Sequence, residues 1–177
     1  MKKAILILIT NLTLIFPGQS QNAIPNPGFE SWTSQGSYDE PNGWGTINQQ
    51  VSSACFCKGT AVKTTSASDV HSGVLAIKLK TLNVLLGIAP GIAATGTINQ
   101  TTQAIDGGEP FNWRPSALTG WYKYTPVSTD TGSVSITLSK WNSSKNQRDQ
   151  IGSAKFIQTS SVTTYTQFSV CIDYSST

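Results

Sequence analysis

Histidine occurs once and cysteine three times in 177 residues, and only 12% of the chain is charged. A lone imidazole, His71, excludes metal sites built on several histidines and leaves at most one imidazole base. Charge of either sign is scarce: 12 Lys and Arg face 9 Asp and Glu, for a formal net charge of +3. Lys2 and Lys3 lie in the leader described below, and without them the balance is +1. Electrostatic capture of nucleic acid or of an anionic membrane surface is therefore not expected. Long apolar runs are missing as well. The longest, Ala4 to Phe16, is interrupted by Thr10, Asn11 and Thr13. It falls short of the ~20 residues a membrane-spanning helix needs, so no membrane span is expected.

That run follows two lysines and precedes Gly18 and Ser20, small residues at the −3 and −1 positions of a cut after Ser20. Residues 1–20 therefore read as a secretory signal peptide, and residues 21–177 as one extracellular domain. What the chain has in abundance is hydroxyl, with 44 serines and threonines. Alternation dominates over helical periodicity. Leu75, Ile77 and Leu79 oppose Ala76, Lys78 and Lys80. Val134, Ile136 and Leu138 oppose Ser135, Thr137 and Ser139. Leu118 to Tyr124 and Tyr165 to Tyr174 read as further strands, and Val84 to Ile92 as a buried strand turning at Pro90-Gly91. Turn residues at Pro41-Asn42-Gly43, Asp106-Gly107-Gly108, Pro126 and Asp130-Thr131-Gly132 separate these runs. The expectation is an all-β fold, an antiparallel two-sheet β-sandwich, with a long surface loop from Gly96 to Pro115. The alternation of Phe168, Val170, Ile172 and Tyr174 stops three residues from the end. A domain lacking its final strands, with an exposed edge, would read this way.

Catalytic chemistry finds little support. Asp69, His71 and Ser72 are neighbours in what reads as a turn, whereas triad members converge from separate places in a fold. A glycosidase needs two facing carboxylates, and nothing singles out a pair among Glu30, Asp39, Glu40, Asp106 and Glu109. The three cysteines are an odd set. A bridge between Cys55 and Cys57 would span a single residue, so the expected bond joins one of them to Cys171 and leaves one thiol over. Their spacing does not favour a metal site.

The tryptophans say more. Trp32 and Trp44 stand beside turn residues and are expected to plug an end of the core. Trp141 falls on the parity of Ser135, Thr137 and Ser139, which puts an indole on a polar face. Trp113 sits with Arg114 in the long loop, and Trp121 shares its parity with Lys123. An exposed indole ringed by hydroxyls, amides and a guanidinium matches a pyranose, whose apolar C–H face is bordered by hydroxyls. Packing against a neighbouring loop competes with this reading, most of all for Trp121.

Several short motifs in order carry a family resemblance. Asn26-Pro27-Gly28-Phe29-Glu30-Ser31-Trp32, Pro41-Asn42-Gly43-Trp44 and His71-Ser72-Gly73 are similar to the opening of bacterial galactose-binding-like jelly-roll modules. Thr95-Gly96, Gly107-Gly108-Glu109-Pro110-Phe111, Arg114-Pro115, Leu118 to Pro126 and Asp130 resemble the carbohydrate metabolism domain family (PCMD). The resemblance covers most of residues 22–174. It implies a jelly roll from a secreted or surface protein of a Gram-negative bacterium, of a kind that binds glycan or polysaccharide. It also implies a structural calcium in some relatives, where Glu30 and oxygens of the His71 to Gly73 loop would contribute. With the C-terminal acidic partner missing, hydrogen bonding by Glu30 is expected instead, and no cofactor. The functional expectation is a secreted, non-catalytic carbohydrate-binding domain with Trp113, Arg114, Trp141 and Trp121 as contacts. A cell-surface adhesion module that binds protein is the alternative, and a carbohydrate-active enzyme the third.

Overall fold

The computed structural model describes residues 24–175 apart from 86, 100, 101 and 103. The expected signal peptide lies outside the described residues. The chain is all-β. Its first part consists of short elements: β1 (Trp32–Ser34), β2 (Asp39–Pro41), β3 (Gly45–Thr46), α1 (Asn48–Cys55), β4 (Ala61–Thr64), β5 (Ala76–Leu79), β6 (Leu82–Val84), β7 (Gly87–Ala89), β8 (Ala93–Ala94), β9 (Thr97–Ile98) and β10 (Ile105–Asp106). Longer strands follow: β11 (Ala117–Tyr124), β12 (Gly132–Asn142), β13 (Gln147–Gln158) and β14 (Val162–Cys171), then β15 (Asp173–Tyr174). Pairing is antiparallel throughout, β1 with β2, β3 with β8, β4 with β5, β6 with β7 and β9 with β10. In the second part β11 pairs with β14, and β12, β13 and β15 form a three-stranded sheet in that order.

The two larger sheets meet through aromatic rings. Phe156 of β13 stacks on Phe168 of β14 at 4.9 Å, and the edge of Tyr122 from β11 meets Phe156 at 5.0 Å. Direct cross-strand partners share a face. Val134, Ile136 and Leu138 therefore line the same inner face as their partners Phe156, Ala154 and Gly152. Leu118, Gly120 and Tyr122 share the inner face of the other sheet with Val170, Phe168 and Thr166. Gly120 lies directly opposite Phe168, whose ring passes over it so closely that a Cβ would come within 2.6 Å of the ring. The run expected as one strand from Tyr165 to Tyr174 breaks at Ile172. There it leaves β11 and continues as β15 against β13, with Ile172 buried and its N–H donating to the Ser116 carbonyl.

Three local expectations are corrected, and one element is added. Val84 to Ile92 is not a buried strand: Val84 pairs back onto Gly87, and Leu85 and Ile88 stand in solvent, so the turn falls before Pro90-Gly91. The Gly96 to Pro115 loop carries the β9–β10 hairpin. Helix α1 has no counterpart in the sequence reading, because its N-cap is Ile47, which makes no side-chain cap. Finally, Cys55 is bonded to Cys57, and Cys171 is free and exposed. Phe56, the residue between them, takes a left-handed conformation (φ 54°) that turns the chain back at the helix end. That reversal brings the two Cα atoms to 5.2 Å, a separation a disulfide accepts.

Candidate functional site on the outer face of β12–β13

The outer face of the β12–β13 hairpin is built from polar partners. Ser135 lies opposite Lys155, Thr137 opposite Ser153, Ser139 opposite Gln150 and Trp141 opposite Arg148. All are exposed except the half-buried Ser153. Counted along β13, residues 148 and 150 have the parity of Ala154 and Phe156 and would point inward. A bulge reverses this: Leu138 pairs with Gly152 but Ser139 pairs with Gln150, so Ile151 has no opposite partner. The extra residue re-aims the strand beyond it and sets Arg148 beside Trp141. Trp141 is 53% exposed, so its ring is offered to solvent.

The hairpin tip is held by its own polar groups. The Asn142 carboxamide oxygen accepts from the N–H of Ser144 (3.1 Å) and of Lys145 (3.2 Å), and Asn146 adopts φ 49°. The Asn142 amide donates to Asp149 at 2.6 Å. Hydrogen bonds from Asn142 and Gln147 first, and from Lys145 to a lesser extent, hold the Asp149 carboxyl below its ordinary range, and burial opposes them. Asp149 is thereby occupied on the side away from Arg148. Trp141 also lines a depression of ≈ 340 Å³ together with Lys140, Asn142, Ser143, Asp149 and Ile151.

Trp121 lies elsewhere. It is 49% exposed on the outer face of β11–β14, opposite Gln167. Trp121 and Trp141 thus belong to different sheets, each on the face away from the Tyr122, Phe156 and Phe168 rings. His71 stacks on the Trp121 ring at 4.1 Å and meets the Tyr165 ring edge at 5.2 Å. The segment that carries His71 is clamped onto this sheet. Lys123 donates to the Ser68 carbonyl and to Asp69, Lys78 donates to Asp69, and the Tyr165 hydroxyl donates to the Asp69 carbonyl. Hydrogen bonds from Lys78 and then Lys123 lower the Asp69 pKa below its ordinary value of 3.8. Burial pushes the Tyr165 hydroxyl upward, with Asp69 adding to the effect.

Trp113, 49% exposed, and Arg114 precede β11. The Arg114 guanidinium lies 3.9 Å above the Tyr174 ring, whose hydroxyl donates to the Pro115 carbonyl at 2.7 Å. No ring contact joins any two of Trp113, Trp121 and Trp141 among the described residues. Trp32 and Trp44 are half-buried, and their indole N–H groups donate to the carbonyls of Phe29 and Pro25. Asp39 and Glu40 are engaged by separate partners. Asp39 pairs with Lys63 at 3.3 Å, and Glu40 accepts from Thr46, with partial burial raising its pKa. Asp106 lies in β10, and Glu109 is exposed in the loop beyond it. Glu30 reaches across the chain and accepts from the N–H groups of Val74 and Leu75 at 3.1–3.3 Å. Gly73, at φ +75°, is the residue the carboxylate lies against, and a side chain there would strike it. The contacts of Glu30 are thus N–H donors, where calcium takes oxygen ligands. Among the described residues no group of three or more His, Cys, Asp or Glu is placed to hold a metal ion.

No family model, curated protein or solved structure matches the chain.

Proposed function

We propose that the chain is a secreted, non-catalytic carbohydrate-binding domain, a two-sheet β-sandwich of the jelly-roll type related to the PCMD family. It acts outside the cell of a Gram-negative bacterium and needs no cofactor. The observation that carries this reading is the solvent-facing indole of Trp141 at the end of a hydroxyl and amide ladder, with Arg148 as its direct cross-strand partner. A flat ring stacks on the C–H face of a sugar, and the hydroxyls, amide and guanidinium beside it exchange hydrogen bonds with the sugar's rim. Trp113 with Arg114 offers a second, separate contact. Trp121 is assigned a structural role, because His71 already covers one face of its ring. Glu30 serves as a clasp between the Phe29 turn and the start of β5.

The test is a glycan array probed with the wild-type protein and with W141A and W113A. Both alanine variants are expected to lose signal while melting within about 2 °C of wild type, since the rings removed are solvent-facing. A blank array together with specific recovery of one protein partner would favour the adhesion module instead.

A further inference from the structure

Resting on the glycan-binding reading, we infer that the Trp141–Arg148 pair is a subsite for an acidic sugar, a pyranose bearing a carboxylate or sulfate group. Three observations carry it. The indole and the guanidinium are direct cross-strand partners on one face, so their Cβ atoms stand ~5 Å apart, and a single ring stacked on Trp141 brings its substituents within reach of Arg148. No carboxylate forms an ion pair with Arg148 among the described residues. The neighbouring acid, Asp149, points to the other face and is taken up by Asn142, Gln147 and Lys145. The planar fork of an arginine suits the two oxygens of a carboxylate or sulfate better than it suits isolated hydroxyls.

The rest of the face agrees with a polymeric ligand. Lys155, opposite Ser135, is a second cation on the same outer face, six β12 residues or ~20 Å from the Trp141 row. One carboxylate shares this face, Asp173 of β15. It lies beside Ser153, in the Thr137 row, ~14 Å along the strands from the Trp141 row and on the far side of β13 from β12. The path along β12 from Trp141 to Ser135 between these charges is lined by Ser139 and Thr137, hydroxyls without charge.

Affinity electrophoresis through gels containing polygalacturonate, dextran sulfate, dextran or galactomannan tests the assignment, using the wild-type protein, W141A, R148A and R148K. Retardation by a charged polymer is expected, with dextran and galactomannan weaker. Polygalacturonate acting alone assigns the carboxylate, and dextran sulfate acting alone assigns the sulfate. R148A should weaken retention by the charged polymer about tenfold, R148K should restore only part of it, and added salt should weaken it further. Equal retention by neutral and charged polymers, unchanged in R148A, overturns the inference and leaves the glycan-binding reading standing. Full retention of W141A by the charged polymer also overturns it, because diffuse charge would then account for binding. If none of the four polymers retards the protein the inference falls, and the glycan array decides the wider reading separately.

Discussion

Asn48 is fully buried, yet it is the polar residue on which the first part of the chain turns. Its amide donates to the carbonyls of Ala61 (2.6 Å) and Asp39 (3.0 Å), and its oxygen accepts from the Ala61 N–H (2.9 Å). One side chain thus satisfies backbone groups of β2 and β4 that face the start of α1. Replacing it with alanine leaves these groups buried without partners, a loss of about 3 kcal/mol. The melting temperature of N48A should fall by about 6–12 °C, read by circular dichroism. An unchanged melting point would mean that water replaces the amide. Nothing in the sequence marks Asn48, since its partners are backbone groups of two separate strands, which any residue type supplies. Glu30 was legible as a hydrogen-bonding residue, but its partners Val74 and Leu75 are 44 and 45 residues away.

At the scale of elements, the segment from Ser66 to Val74 is a strap laid over the outer face of β11–β14. Its fixed point is Asp69, whose carboxylate takes Lys78 and Lys123 and whose carbonyl takes Tyr165. The Asp69 pKa is lowered in the folded state, so its contribution is fully present above the ordinary value of 3.8 and is lost as pH falls through the lower folded value. Amide hydrogen-exchange protection factors over residues 66–74, corrected for the intrinsic pH dependence of exchange, should therefore fall as pH drops below about 4 while the β12–β13 amides stay protected. D69N should show the loosened strap at neutral pH. Equal protection of the strap in D69N and wild type would mean that His71 on Trp121 suffices to hold it.

Elements were legible where apolar residues alternate along them. β12 shows this in Val134, Ile136 and Leu138, and β11 and β14 show it as well. β13 does not, because its inner face carries the small residues Gly152 and Ala154, and a Cβ on Gly152 would crowd Tyr174 and Ile172. Its bulge then inverts the parity of Arg148, so a count along the strand hides the residue that stands opposite Trp141. Val84 to Ile92 misleads in the opposite sense: its apolar residues belong to a small exposed hairpin whose two strands are three residues each. The Cys55–Cys57 bond depends on the left-handed Phe56, a backbone state the residue type does not announce.

For the molecule as a whole, the placement of two inner faces against each other through Tyr122, Phe156 and Phe168 decides which tryptophans share a surface. Parity correctly put Trp141 among hydroxyls. It gave no sign that His71 covers Trp121, because that contact belongs to the packing of a distant segment on the sheet and not to the strand alone. The glycan-binding account therefore separates the two outer faces in function, Trp141 working and Trp121 structural.

Isothermal titration of the best glycan from the array into wild type, W141A and W121A distinguishes the faces most directly. W141A should bind at least tenfold more weakly with an unchanged melting point, and W121A should keep wild-type affinity while melting lower. Wild-type affinity in W141A, or loss of binding confined to W121A, would contradict it.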